Sequence, residues 1–141
     1  MSIQTILAPL FVQVVLTFAL GFWLAYLGVS TLRRGEVNPR DIALREPNWP
    51  RRMLQVRNSY QNQLELPVLF YLLTILAIMT KHADVLFVVM AWIFVLSRIV
   101  HAYVHVTSNN LDQRGLWFGV GAFTLAIMWA IFIVRIMLGL P

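Results

Sequence analysis

The chain has 141 residues, of which 60% are hydrophobic and 12% charged, and its mean hydropathy is +0.74. A soluble domain carries about 25% charged residues, so this composition excludes a water-soluble globule and defines an integral membrane protein. The absence of cysteine excludes disulfides, thiolate metal sites and a protein-borne thiol nucleophile, and most of the +5 net charge sits in one loop, where membrane topology explains it without nucleic acid.

Ile6 to Leu32 contains no charged residue. At about 1.5 Å per residue, a helix of this length exceeds a hydrocarbon core of about 30 Å. This is the first transmembrane helix, about 6–32, with Pro9 tolerated in its first turns. The preceding Met1-Ser2-Ile3-Gln4-Thr5 lacks the basic region of a cleaved signal peptide. Residues 33–52 are a basic loop broken by Gly35, Pro39, Pro47 and Pro50. A long ordered loop is more often functional than a short connector.

The second helix starts just after Pro50, and its span covers about 53–79. Its first turns are polar and Val68 to Met79 is apolar throughout. Pro67 inside it predicts a kink or a break. After the turn at Thr80-Lys81-His82-Ala83-Asp84, a third helix runs over about 85–106, interrupted late by Arg98, His101 and His105. A second polar turn leads to a fourth helix, about 116–138. Short connectors make successive helices antiparallel neighbours. The expected fold is a single domain, 1–141, all-α, a four-transmembrane-helix bundle. The first loop holds Arg33, Arg34, Arg40, Arg45, Arg51 and Arg52, whereas the second connection holds only Lys81. The positive-inside rule then puts loop 33–52 in the cytoplasm and both termini on the other side.

The carboxylate of Glu65 is carried into a membrane segment, which costs a few kcal/mol unless it is paired or wetted. Helical spacing puts Asn58, Gln61, Asn62 and Glu65 on one stripe, and Arg98, His101 and His105 on another. Both stripes lie toward the cytoplasmic halves of adjacent helices, so an Arg98–Glu65 ion pair is expected. Two readings stay open: a polar cavity facing the basic loop, or a fastening that fixes helix register. His101 and His105 have the spacing of a metal pair, but no third ligand of matching spacing accompanies them, and no metal is expected. Arg114 is either an interface anchor or a cation at the cavity mouth near an anionic ligand. Arg33 and Arg34 favour the C-terminal dipole of the first helix and are placed to reach a carboxylate. Arg51 and Arg52 read as topology signals, and Trp23, Trp49, Trp92, Trp117 and Trp129 as interface belts or packing.

Asn62-x-x-Glu65 at the start of the second helix, Arg98-x-x-His101 late in the third and Arg114 sixteen residues after Arg98 resemble the MAPEG family. These are the membrane-associated proteins of eicosanoid and glutathione metabolism. The similarity covers essentially the whole chain, and the stretches Arg33 to Ile42 and Leu64 to Tyr71 are similar to a bacterial branch. The resemblance implies a homotrimer in the inner membrane, with glutathione as co-substrate bound between subunits on the cytoplasmic side. It carries glutathione contacts to Asn62, Glu65, Arg98 and His101, and thiolate stabilisation to Arg114. Arg33 or Arg34 would match the family's basic end of the first helix, and Asn58 and His105 lie on the same two stripes. The family's eicosanoid members often carry Arg where Gln61 stands and Tyr where His105 stands. A lipophilic small molecule would arrive from the membrane lipids. The activity implied is a glutathione-dependent transferase or peroxidase. The alternative is a non-catalytic trimeric scaffold or accessory subunit with a membrane-complex partner.

Overall fold

A computed structural model describes residues 1–141, and every regular element in it is helical. Helix α1 (Ile3–Arg33) is capped by Ser2, whose hydroxyl accepts the Thr5 N–H. Pro9 sits early enough in α1 that the helix continues through it. The loop that follows contains a single 3-10 turn, Pro39–Asp41, capped by Asn38. It is also tied across itself, because the Asn48 amide donates to the Asp41 carbonyl at 2.7 Å.

The second span is two helices, α2 (Arg51–Gln63) and α3 (Leu66–Met79), separated at Leu64 and Glu65. Pro67 explains the break. It has no N–H to give the carbonyl of Gln63, and its ring disfavours helical geometry just before it. Glu65 accordingly has φ −100° and ψ −93°, outside the helical region. Helix α4 (Val85–Val106) starts at Asp84, whose carboxylate accepts the Phe87 N–H and pairs with Arg135 at 2.8 Å. Burial alone would raise the Asp84 carboxyl, but these partners outweigh it and hold it below the usual carboxylate value. Helix α5 (Leu111–Met137) starts at Leu111 rather than Leu116, because the Asn110 side chain accepts the Gln113 N–H and caps it there. Arg114 therefore belongs to the first turn of α5 rather than to the loop before it.

Helix α4 is the centre of the bundle: half of its most apolar stretch is buried, against 22% for α1 and α5. Phe70 and Leu73 of α3, Ala91 and Phe94 of α4, and Leu125 and Met128 of α5 form the main core. The Phe70 and Phe94 rings lie 4.9 Å apart. A smaller cluster of Leu20, Val56, Ala102 and Val106 joins α1, α2 and α4 nearer the long loop. The outside is apolar as well, with Phe11, Val15, Phe18, Phe22 and Tyr26 exposed along α1. Four helices are long and apolar enough to cross a membrane, and an apolar exterior of this extent belongs in lipid or against other copies.

Candidate functional site

Arg98 has no exposed surface. Its Nη2 donates to the Asn62 side-chain oxygen at 2.9 Å and to the Asn62 carbonyl at 3.2 Å. It makes no ion pair with Glu65, which is exposed on the outside of the bundle, although Glu65 lies within electrostatic reach. The expected Arg98–Glu65 pair is thus corrected to an Arg98–Asn62 contact. The break in the second span supplies the reason. Helix α2 ends at Gln63, so its last carbonyls lack intrahelical partners and carry the negative end of the helix dipole. Arg98 caps that end, and Glu65 is left free to face outward.

Small residues let this guanidinium pass between helices. A Cβ on Gly121 of α5 would lie 2.8 Å from Ser97 Oγ and 3.6 Å from Arg98 Cδ. One turn along α4 from Arg98, His101 is buried, with His105 beyond it, and their ring centroids lie 5.3 Å apart. Phe118 of α5 lies 6.1 Å from the His101 ring. Arg114 is half-buried; its Nη1 donates to Asn109 Oδ1 at 2.9 Å. Arg98 and Arg114 both act electrostatically on the two histidines, so the four side chains form one cluster. Five buried nitrogens in it have no hydrogen-bond partner: Arg98 Nε and Nη1, the Nδ1 atoms of His101 and His105, and Arg114 Nε. No group of three or more metal-binding side chains is present.

The other singled-out residues lie elsewhere in the protomer. Asn62 joins the cluster through Arg98 and is half-buried, but Asn58, Gln61 and Glu65 are exposed on the flank of α2. Arg33 and Arg34 are exposed at the end of α1, and Arg34 faces Glu36 at 3.5 Å. Arg52 does more than mark topology. Its Nη1 donates to the Val106 carbonyl at the end of α4, and its guanidinium lies 4.9 Å from the Trp23 ring centroid.

A second polar group was not singled out from sequence. Gln13 Nε2 donates to Gln63 Oε1 at 2.9 Å, Gln63 Nε2 donates to the Ser59 carbonyl at 3.0 Å, and Gln13, Ser59 and Gln63 are all buried. The Tyr71 hydroxyl is directed toward Thr17 and Gln13. The available signal was Gln13 itself, an amide inside the charge-free first span.

Together these features define a four-span integral membrane bundle with a buried, cation-rich polar cluster toward its long-loop end. Residues 6–134 match the sequence profile of the MAPEG family, and the chain belongs to that family. No curated protein and no solved structure matches it.

Proposed function

We propose that the protein is a glutathione-dependent transferase or peroxidase acting on lipophilic electrophiles, assembled as a homotrimer with its sites between neighbouring copies. The observation that carries this reading is the set of five unpartnered nitrogens on Arg98, His101, His105 and Arg114. Each buried polar group without a partner costs about 1–3 kcal/mol, and an anion with several oxygens meets such nitrogens with charge-assisted bonds. Family membership and the absence of cysteine point the same way, since glutathione supplies the thiol that the chain lacks. Arg114, with Nε free, would hold that sulfur as thiolate, because a fixed guanidinium favours the charged form. Asn58 and Glu65 on the exposed flank of α2 would complete the site from one copy, Glu65 receiving an ammonium. Arg33 and Arg34 of a neighbour would take carboxylates. His105 would offer a nitrogen to the same ligand. Loop 33–52 would face the cytoplasm of a bacterial inner membrane, with both termini on the opposite side.

Addition of millimolar glutathione to the purified protein is expected to produce thiolate absorbance in the ultraviolet, and Arg114→Ala is expected to abolish it while the helical content stays intact. Absence of binding at that concentration would overturn the enzyme reading and favour a non-catalytic scaffold.

A further inference from the structure

Between α1 and α2, outside the cation cluster, runs an open cleft of about 520 Å³ lined by Leu24, Arg45, Arg57, Tyr60, Gln61 and Leu64. Arg57, Tyr60, Gln61 and Leu64 recur at helical spacing and so form one stripe of α2. At about 100° per residue this stripe is turned roughly 110° from the Asn58, Asn62 and Glu65 stripe. The cleft is therefore a different surface from the proposed glutathione site. Its floor is firm: a Cβ on Gly21 would sit 3.5 Å from the Tyr60 ring. Two guanidiniums line it, and no carboxylate does.

Arg45 is held at the cleft by its loop. It has φ +66°, a region that non-glycine residues seldom adopt. Its N–H donates to the Ile42 carbonyl, while Glu46 turns back to accept the Leu44 N–H at 2.6 Å. The acid beside Arg45 is thus engaged within the loop rather than neutralising the cleft.

Depth identifies the occupant. The second span, Arg51–Met79, has 29 residues, about 43 Å of helix against about 30 Å of hydrocarbon. With Met79 followed by the polar Thr80-Lys81 turn, the hydrocarbon begins near Tyr60. Arg57 then stands at phosphate level, Tyr60 at the boundary where amphipathic aromatics concentrate, and Leu64 among the acyl chains.

We infer that this cleft binds an anionic phospholipid, with Arg45 and Arg57 on the headgroup phosphate, the Gln61 amide at the glycerol region, and the first methylenes against Leu24 and Leu64. A juxtamembrane guanidinium contributes about fivefold to binding of an anionic lipid surface, and a phosphate held by two of them gains directional bonds.

Native mass spectrometry of the whole, delipidated protein titrated with short-chain phosphatidylglycerol or phosphatidylcholine tests this. Phosphatidylglycerol adducts are expected to dominate, to fall about fivefold in Arg45→Gln and in Arg57→Gln, and to persist in Arg51→Gln and in millimolar inorganic phosphate. Equal adducts of both lipids, or an equal loss in Arg51→Gln, would overturn the site in favour of general surface attraction. Displacement by inorganic phosphate would mark a free-anion site instead. Dissociation of the assembly in Arg45→Gln would mark a contact between copies and equally sink the proposal. None of these variants alters Arg114, so glutathione binding can fail or survive independently.

Discussion

Arg98 is the costliest residue to place, because a charge moved out of water needs both partners and counter-charge. Its partners are the side chain and backbone carbonyl of one residue, Asn62, and its counter-charge is the C-terminal end of α2 rather than a carboxylate. That arrangement predicts an order of sensitivity opposite to simple charge pairing. Asn62→Ala deprives a fully buried guanidinium of its one side-chain acceptor and is expected to cost about 2–4 kcal/mol, within the range for breaking a buried charged contact. Glu65→Gln, on an exposed residue without an ion pair, is expected to change the stability of the isolated protomer by less than about 0.5 kcal/mol. Thermal unfolding of both variants in one detergent checks the order. Equal losses would restore Glu65 as the counter-ion. The sequence reading placed Arg98 and Glu65 at similar depth but paired them, because spacing shows which residues share a height and not where a helix ends. Pro67 carried the missing information. A break before it exposes carbonyls, and exposed carbonyls compete with a carboxylate for a cation.

At the scale of helices, the closest approach is α4 against α5, where Gly121 meets Ser97. A methyl group at Gly121 would stand 2.8 Å from Ser97 Oγ, too near for any real Cβ contact. The hydroxyl cannot swing away freely, since it donates to the Phe94 carbonyl at 2.6 Å. Gly121→Ala is therefore expected to destabilise the bundle by about 1–3 kcal/mol through overpacking. Adding Ser97→Ala removes the oxygen that clashes, so the double variant should recover most of that loss. A double-mutant cycle on unfolding midpoints reads this coupling, and strictly additive losses would place the strain elsewhere. The four spans themselves were legible in the sequence, because lipid demands long uncharged stretches and Asp84 is a recognisable cap. The inward face of α2 was not. Its first turns are polar on two sides, so helical spacing offers both the Asn58–Glu65 stripe and the Ser59–Gln63 stripe as the face turned inward. Packing chose the second, where the small Ser59 lets neighbouring helices approach and Gln13 of α1 supplies an amide partner for Gln63. A periodicity argument confined to one helix cannot see that partner.

The single bundle leaves a contradiction that only the whole assembly resolves. Asn58, Gln61 and Glu65 form an exposed polar flank on a helix that enters the membrane, and an acidic side chain facing lipid costs up to about 3 kcal/mol at mid-depth. Exposed Phe11, Val15, Phe18 and Phe22 on α1 suit lipid, so the polar flank is the part of the surface with most to gain from a neighbouring copy. In the proposed homotrimer each flank would face a neighbour and the ligand held between them. The two environments give opposite signs for one substitution. If the flank met lipid, Asn58→Leu with Glu65→Leu would remove polar groups from hydrocarbon and raise stability without changing mass. If a neighbour covers it, the same double substitution strands the neighbour's polar groups against leucine and loosens the assembly. The expected native mass spectrum in mild detergent is that of three chains for the unaltered protein, shifted toward single chains for the double variant. A monomer that becomes more stable on double substitution would show that lipid, and no second copy, covers this flank.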